Sequence, residues 1–273
     1  MVSIGSGLRA LCAAVALPAL VSGCTAAEQE TPTPAMAATA APQAPLIVPP
    51  PACGEGPALL SQLSTRDKLA QLLMVGVNNA DDARTVVASQ HVGGIMIGSW
   101  TDLSMLSDGS LKEIVNSAVP LPLAVSVDEE GGRVSRLSSV IGTQPSARVL
   151  AQTQTPEQVY AIALQRGQAM RGLGFTIDFA PVVDVSDAPD DTVIGDRSFG
   201  SDPALVTDYA GAYARGLRDA GLLPVLKHFP GHGNGSGDSH TGSVTSPPIA
   251  DLQNKDLIPY RTLSAQPPER SSP

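Results

Sequence analysis

Nowhere in these 273 residues do basic side chains form a run, and the net charge is −9 at pH 7. Holding a phosphate backbone depends on Lys and Arg displacing its counterions, so nucleic acid is not an expected partner. Long apolar stretches are also missing: LCAAVALPAL (11–20) is well short of the roughly 20 residues a membrane-spanning helix needs. Cysteine is scarce, with Cys12, Cys24 and Cys53 making up the whole set of 3. Histidine is scarce too, at 4, yet His228, His232 and His240 all fall within KHFPGHGNGSGDSH (227–240).

What is present at the N-terminus is a targeting pattern, which is set apart from fold reasoning. Arg9 supplies a charge, residues 11–20 an apolar core, and Val21-Ser22-Gly23-Cys24 a run of small residues before a cysteine. That ending resembles a bacterial lipobox, in which the cysteine is lipidated and becomes the first mature residue. The expectation is therefore a signal peptide over 1–23, lipidation at Cys24, and anchoring at the outer face of the cytoplasmic membrane. An ordinary secretory signal with a chance cysteine is the other reading. With Cys12 removed and Cys24 modified, Cys53 has no partner for an internal disulfide, and the domain stands on its core alone.

Residues 24–57 are rich in Pro, Ala and Thr without periodicity and read as an extended tether. From residue 58 the pattern changes. QLLMVGV (71–77), GGIMIG (93–98), LPLAVSVD (121–128), FTIDFAPVVDV (175–185) and LLPVLKHF (222–229) are short apolar runs bounded by Gly, Pro or Asp. Strands covered on both faces read this way. Helices are expected between them. Thr155-Pro156-Glu157-Gln158 opens one with a capping box that runs to Gly172 or Gly174. A second runs from Asp202-Pro203 to Gly221, and a third spans 249–263 with Pro259 inside it. Repeated strand–helix alternation with polar residues at strand ends predicts an α/β chain of the (β/α)8 TIM-barrel type, incomplete, with about five of eight strands present. A doubly wound open sheet is the alternative.

Three of these strand ends carry chemistry. Asp128-Glu129-Glu130-Gly131-Gly132-Arg133, with Arg136 beyond, follows the third strand and places carboxylates where glycines let backbone approach a ligand. Alone, it also reads as a solvated turn. Ile194–Gly200 carries Arg197, whose fork suits a ligand oxygen but equally a loop ion pair. The last strand ends in Lys227 and His228, and its loop ends in Asp238, Ser239 and His240, so that a carboxylate can orient an imidazole for acid/base work near neutral pH.

DEEGGRVSRL, IGDRSFG and KHFPGHGNGSGDSH, in this order, resemble the family 3 glycoside hydrolases, in particular their β-N-acetylglucosaminidase branch that trims peptidoglycan fragments. The resemblance covers about residues 60–262. It implies that Asp128, Arg136, Arg197, Lys227 and His228 hold the sugar and its N-acetyl group, and that His240, paired with Asp238, is the general acid/base of a retaining hydrolysis of terminal β-linked N-acetylglucosamine (GlcNAc). The implied partners are GlcNAc-containing cell-wall saccharides, and no metal or cofactor is called for.

The family's nucleophile is an aspartate on a later strand. Asp251 and Asp256 fall in the helix after the acid/base loop, where the family places none, and a polar tail at 264–273 stands where the next strand would begin. The expectation is a catalytic domain over 58–263 cut short of its nucleophile, with open sheet edges and little turnover. A saccharide-binding lipoprotein without catalysis is therefore a second reading. A metal hydrolase using His228, His232, Asp238 and His240 is a third, opposed by Lys227 beside those ligands. A phosphate cradle in GHGNGSG is weaker still, because it lacks the lysine spacing of a P-loop.

Overall fold

The computed structural model describes residues 56–118 and 121–265. The signal segment, Cys24, nearly all of the tether, and the tail from residue 266 lie outside the described residues. Helices α1 (Gly56–Gln62) and α2 (Thr65–Ala70) lead into strand β1 (Met74–Val77), and α3 (Ala80–Gln90) connects it to β2 (Gly94–Ile97). Helices α4 (Ser104–Ser107) and α5 (Ser110–Ser117) precede β3 (Ala124–Val127). A hairpin of β4 (Glu129–Gly131) and β5 (Val134–Ser135) follows, then α6 (Ser138–Ile141), α7 (Ala147–Thr153) and α8 (Pro156–Leu173). Strand β6 (Ile177–Asp178), a 3-10 turn at Gly195–Arg197, α9 (Pro203–Asp219), β7 (Leu223–Pro224), α10 (Ile249–Asn254) and α11 (Leu257–Ser264) complete the order.

The main sheet is parallel throughout, with strand order β1-β2-β3-β6-β7. Each strand lies beside the next one along the chain, apart from the small hairpin. A doubly wound sheet instead reverses direction at a switch point. The sheet is thus of the barrel type, and the open-sheet alternative falls. Ile95, Ile97, Val125 and Val127 on the helix-covered face are fully buried.

Local chemistry accounts for the long helices. The α8 capping box forms as its sequence predicts: the Thr155 hydroxyl accepts from Gln158 N, and Gln158 Oε1 accepts from Thr155 N at 2.8 Å. Asp202 caps α9 by accepting from Ala204 N at 2.9 Å, with Pro203 at the first position of the helix. The two helices pack closely because Gly216 has no side chain. A β-carbon there would lie 2.5 Å from the Tyr160 carbonyl oxygen.

Three expectations need correction. The 249–263 helix is two helices, with Lys255 outside helical geometry between them. Pro259 explains the break, since in a continuous helix its ring would strike the carbonyl four residues earlier; restarting at Leu257 puts it in a first turn, where no N–H is needed. Strand β1 starts at Met74, because Gln71 caps α2. The run 175–185 holds regular strand only at Ile177–Asp178, because Pro181 has no N–H for a ladder; Val182 then makes an isolated parallel bridge to Lys227.

Candidate active site

Parallel strands all end on one edge, so loops distant in sequence meet there. The loop after β3 is organised by Glu129, which turns into the protein and is fully buried. Its carboxylate accepts from Ser135 Oγ (2.6 Å), from the backbone N–H groups of Arg136 (2.7 Å) and Leu137 (2.8 Å), and from Arg166 Nη2 of α8 (2.5 Å). Gly131 makes the hairpin possible: its φ is +88°, and a β-carbon would lie 2.6 Å from the Pro145 carbonyl oxygen.

The flanking carboxylates, Asp128 and Glu130, are bridged by one ammonium. Lys227 Nζ lies 2.5 Å from Asp128 Oδ1 and 2.6 Å from Glu130 Oε1. Arg197 grips Glu130 from the other side with two bonds of 2.8 Å, through Nε and Nη2. Burial alone pushes the Glu130 carboxyl up, but the Arg197 hydrogen bonds and the charges of Lys227 and Arg197 outweigh it and leave Glu130 below its ordinary value. Burial likewise opposes the Arg197 charge, and Glu130 more than restores it. Arg133 holds the loop that carries Arg197, bonding Asp196 at 2.8 Å and the carbonyls of Thr192, Val193 and Ile194.

His228 joins the cluster through both ring nitrogens. Nε2 is 3.1 Å from Arg197 Nη2, and Nδ1 is 2.6 Å from Oδ2 of the fully buried Asp184. Asp184 Oδ1 also accepts the backbone N–H of His232 at 2.6 Å, and Asn234 Nδ2 reaches the Val185 carbonyl, so the root of the histidine loop is tied to the segment after β6. The far end of that loop is exposed. There His240 Nδ1 lies 2.7 Å from Asp238 Oδ1, with 81% of the imidazole open to solvent. The His240 backbone N–H and then its ring hold the Asp238 carboxyl below its ordinary value.

Asp128, Arg197, Lys227 and His228 are thus brought together. Asp238 and His240 pair with each other, apart from that cluster. Arg136 is half-buried and attached to the hairpin through its backbone N–H to Glu129; among the described residues its guanidinium makes no hydrogen bond or ion pair with the cluster. Glu130 and Asp184 were not singled out from sequence. Glu130 sat in the acidic run and could have been, whereas Asp184 sat inside an apparent strand. The four side chains of the metal reading are divided, with His228 on Asp184 and His240 on Asp238. Among the described residues no three His, Cys, Asp or Glu side chains gather as metal ligands do. The phosphate-cradle reading is weakened, because the N–H groups of Gly231, His232, Gly235 and Ser236 bond acceptors within the protein.

A cluster of alternating cations and carboxylates offers charge-assisted bonds to a polyhydroxylated ligand. Known proteins agree with this chemistry. Residues 64–268 match the model of the glycosyl hydrolase family 3 N terminal domain. The chain is 64% identical over 263 residues to beta-hexosaminidase LpqI of Mycobacterium tuberculosis, covering 95% of this chain and 67% of that protein. A crystal structure of a GH3 family member from Mycobacterium smegmatis superposes with a TM-score of 0.76 at 75% identity, over 77% of this chain and 63% of that one. A family 3 β-N-acetylglucosaminidase from Paenibacillus does so with a TM-score of 0.68 at 34% identity, over 74% of this chain and 40% of that one. The chain spans about two thirds or less of the length of these relatives, and it belongs to glycosyl hydrolase family 3.

Proposed function

We propose that this chain acts on terminal, non-reducing β-linked GlcNAc in peptidoglycan-derived fragments and hydrolyses it with retention of configuration. The observation that carries this reading is Lys227 bridging Asp128 and Glu130, with Arg197 and His228 alongside, at the C-terminal edge of the sheet. Those groups would take up the sugar hydroxyls and the N-acetyl group. His240, oriented by Asp238 and exposed on its loop, would protonate the departing glycosidic oxygen while a carboxylate nucleophile, in the family an aspartate on a later strand, bonds the anomeric carbon, and would later take a proton from the water that displaces that carboxylate. In the same reading Cys24 carries the lipid that holds the protein at the outer face of the cytoplasmic membrane. Cys24→Ser is expected to move it from the membrane to the soluble fraction.

One observation favours a second reading, saccharide binding without turnover. Asp128, Glu130 and Asp184 in the cluster are each already paired with a cation or a histidine. Release of chromophore from an aryl β-N-acetylglucosaminide, run beside His240→Ala and alongside GlcNAc-binding calorimetry, separates the readings. Hydrolysis that falls by about 10²–10⁴-fold in the variant supports catalysis. Binding without release supports the second reading, and no binding at all defeats both.

A further inference from the structure

We propose that Arg133 is a positioning residue for Arg197: through the Val193 carbonyl and the Asp196 carboxylate it aims the one Arg197 N–H that is left for a sugar oxygen. The inference rests on the reading above, in which Arg197 helps to hold the terminal GlcNAc.

What Arg197 has to offer follows from its donors. A guanidinium carries N–H donors in one plane and no acceptor, one donor on Nε and two on each Nη. Arg197 Nε and Nη2 each give one to Glu130, at 2.8 Å. Nη2 gives its other to His228 Nε2 at 3.1 Å, and Nη1 gives one to the Val193 carbonyl at 3.0 Å. Among the described residues the second Nη1 hydrogen has no acceptor. Arg197 therefore meets a sugar with a single charge-assisted bond, whose direction depends on how the guanidinium plane is held. Glu130 holds one edge of that plane, and the Val193 carbonyl holds another.

Arg133 fixes that second edge. The carbonyls of Thr192, Val193 and Ile194 converge on its Nη2, Val193 at 3.2 Å and Ile194 at 3.1 Å, so the Val193 oxygen accepts from both arginines. Its Nε bonds Asp196 Oδ1 at 2.8 Å, on the residue just before Arg197. The two ion pairs are crossed: Glu130 and Arg133 flank the tip of the hairpin, Asp196 and Arg197 are adjacent in the 3-10 turn, and each acid takes the base of the other segment. They differ in burial. The side chains of Glu130 and Arg197 are 5% and 11% exposed, those of Arg133 and Asp196 40% and 21%. An ion pair as open as the outer one contributes little to stability, so its removal disturbs the direction of Arg197 more than the fold.

Arg148 supplies an internal comparison. It holds the beginning of the same loop, bonding the carbonyls of Ser186 and Ala188 at 3.0 and 2.8 Å and Asp190 at 2.9 Å. Among the described residues none of its hydrogen bonds reaches Val193 or Asp196. If the arginines served only to order the loop, losing either would have the same effect. Positioning makes Arg133 alone matter to Arg197.

Arg133→Gln, Arg133→Lys and Arg148→Gln are compared with the unmodified chain in two ways. One is calorimetry with GlcNAc; the other is nitrogen NMR of the Arg197 Nε–H, assigned by its loss in Arg197→Lys. Both Arg133 variants are expected to move the Arg197 resonance and to weaken GlcNAc binding about tenfold with circular dichroism unchanged, the loss of one well-aimed charge-assisted bond. Lysine keeps the charge but lacks the fork, so charge alone does not rescue. Arg148→Gln is expected to leave both readouts in place. The positioning role is overturned by an Arg197 resonance that stays put in the Arg133 variants, by full affinity in Arg133→Lys, or by an equal loss of affinity in Arg148→Gln. An unmodified chain that binds no GlcNAc defeats the underlying reading by itself. The Arg197 resonance then decides the positioning, which stands if the resonance moves and falls if it does not.

Discussion

Asp184 and His228, 44 residues apart, are joined by a 2.6 Å contact between Oδ2 and Nδ1 that sets the orientation of the imidazole. The tautomer follows from the other nitrogen. Nε2 faces an Arg197 guanidinium, which has donors only, so Nε2 accepts and the proton sits on Nδ1. Asp184 is thus a positioning residue for a sugar-holding histidine. Asp184→Asn keeps the shape and offers Nδ1 a donor where it needs an acceptor. We expect kcat/KM, or GlcNAc affinity where turnover is absent, to fall by about 10²-fold. Nitrogen NMR of the imidazole should show the proton leaving Nδ1. An unchanged tautomer would remove Asp184 from this role.

Glu130 binds both Arg197 and Lys227 with its side chain 5% exposed. Replacing it with Gln leaves the partly buried Arg197 without its carboxylate and Lys227 with Asp128 alone, and is expected to cost about 3 kcal/mol near pH 7. The pH dependence has a definite sign. The folded carboxyl titrates below its unfolded value, so the stabilisation is complete above about pH 4.3 and is lost as pH falls through the folded value. Melting curves of the two proteins should therefore converge in acid. A gap that stays constant down to pH 3 would contradict the ion-pair assignment.

Asp178 behaves in the opposite sense. It is fully buried, Oδ1 accepts from Glu129 N at 3.0 Å, and Oδ2 has no partner among the described residues. Burial pushes its carboxyl well above the ordinary range, so its contribution is greatest below about pH 3.9 and is lost as pH rises through the folded value. Asp178→Asn should remove this term. The variant is expected to gain stability relative to the unmodified chain between pH 4 and pH 8, as followed by thermal melts at unit intervals.

Gly216 on α9 meets the backbone of α8, where an added β-carbon would lie 2.5 Å from Tyr160 O and 2.8 Å from Ala163 Cβ. Helix propensity favours alanine by about 1 kcal/mol. Forcing the helices apart costs typically 1–3 kcal/mol, so Gly216→Ala is expected to destabilise on balance. Denaturant midpoints decide the matter, and a stabilised variant would show that the two helices separate freely.

The sequence by itself determined what depends on neighbours along the chain. The Thr155 capping box, the short apolar strands, and the Asp238–His240 pair two residues apart could all be read because their partners lie within a few positions. The family resemblance was legible for the same reason, since its motifs are contiguous. The break before α11 was also encoded locally, in Pro259, but its position depended on where the helix could restart.

Only the tertiary structure decided which motifs meet. Arg197 finds Glu130 across 67 residues, and Lys227 finds Asp128 across 99. Asp184 lay hidden in an apparent strand, and Glu129 turned inward as Glu130 turned toward the cations. The physical reason is that burial and strand pairing fix side-chain direction only after the chain has folded. Successive residues point to opposite faces, and a parallel sheet gathers the ends of its strands on one edge whatever their separation in sequence.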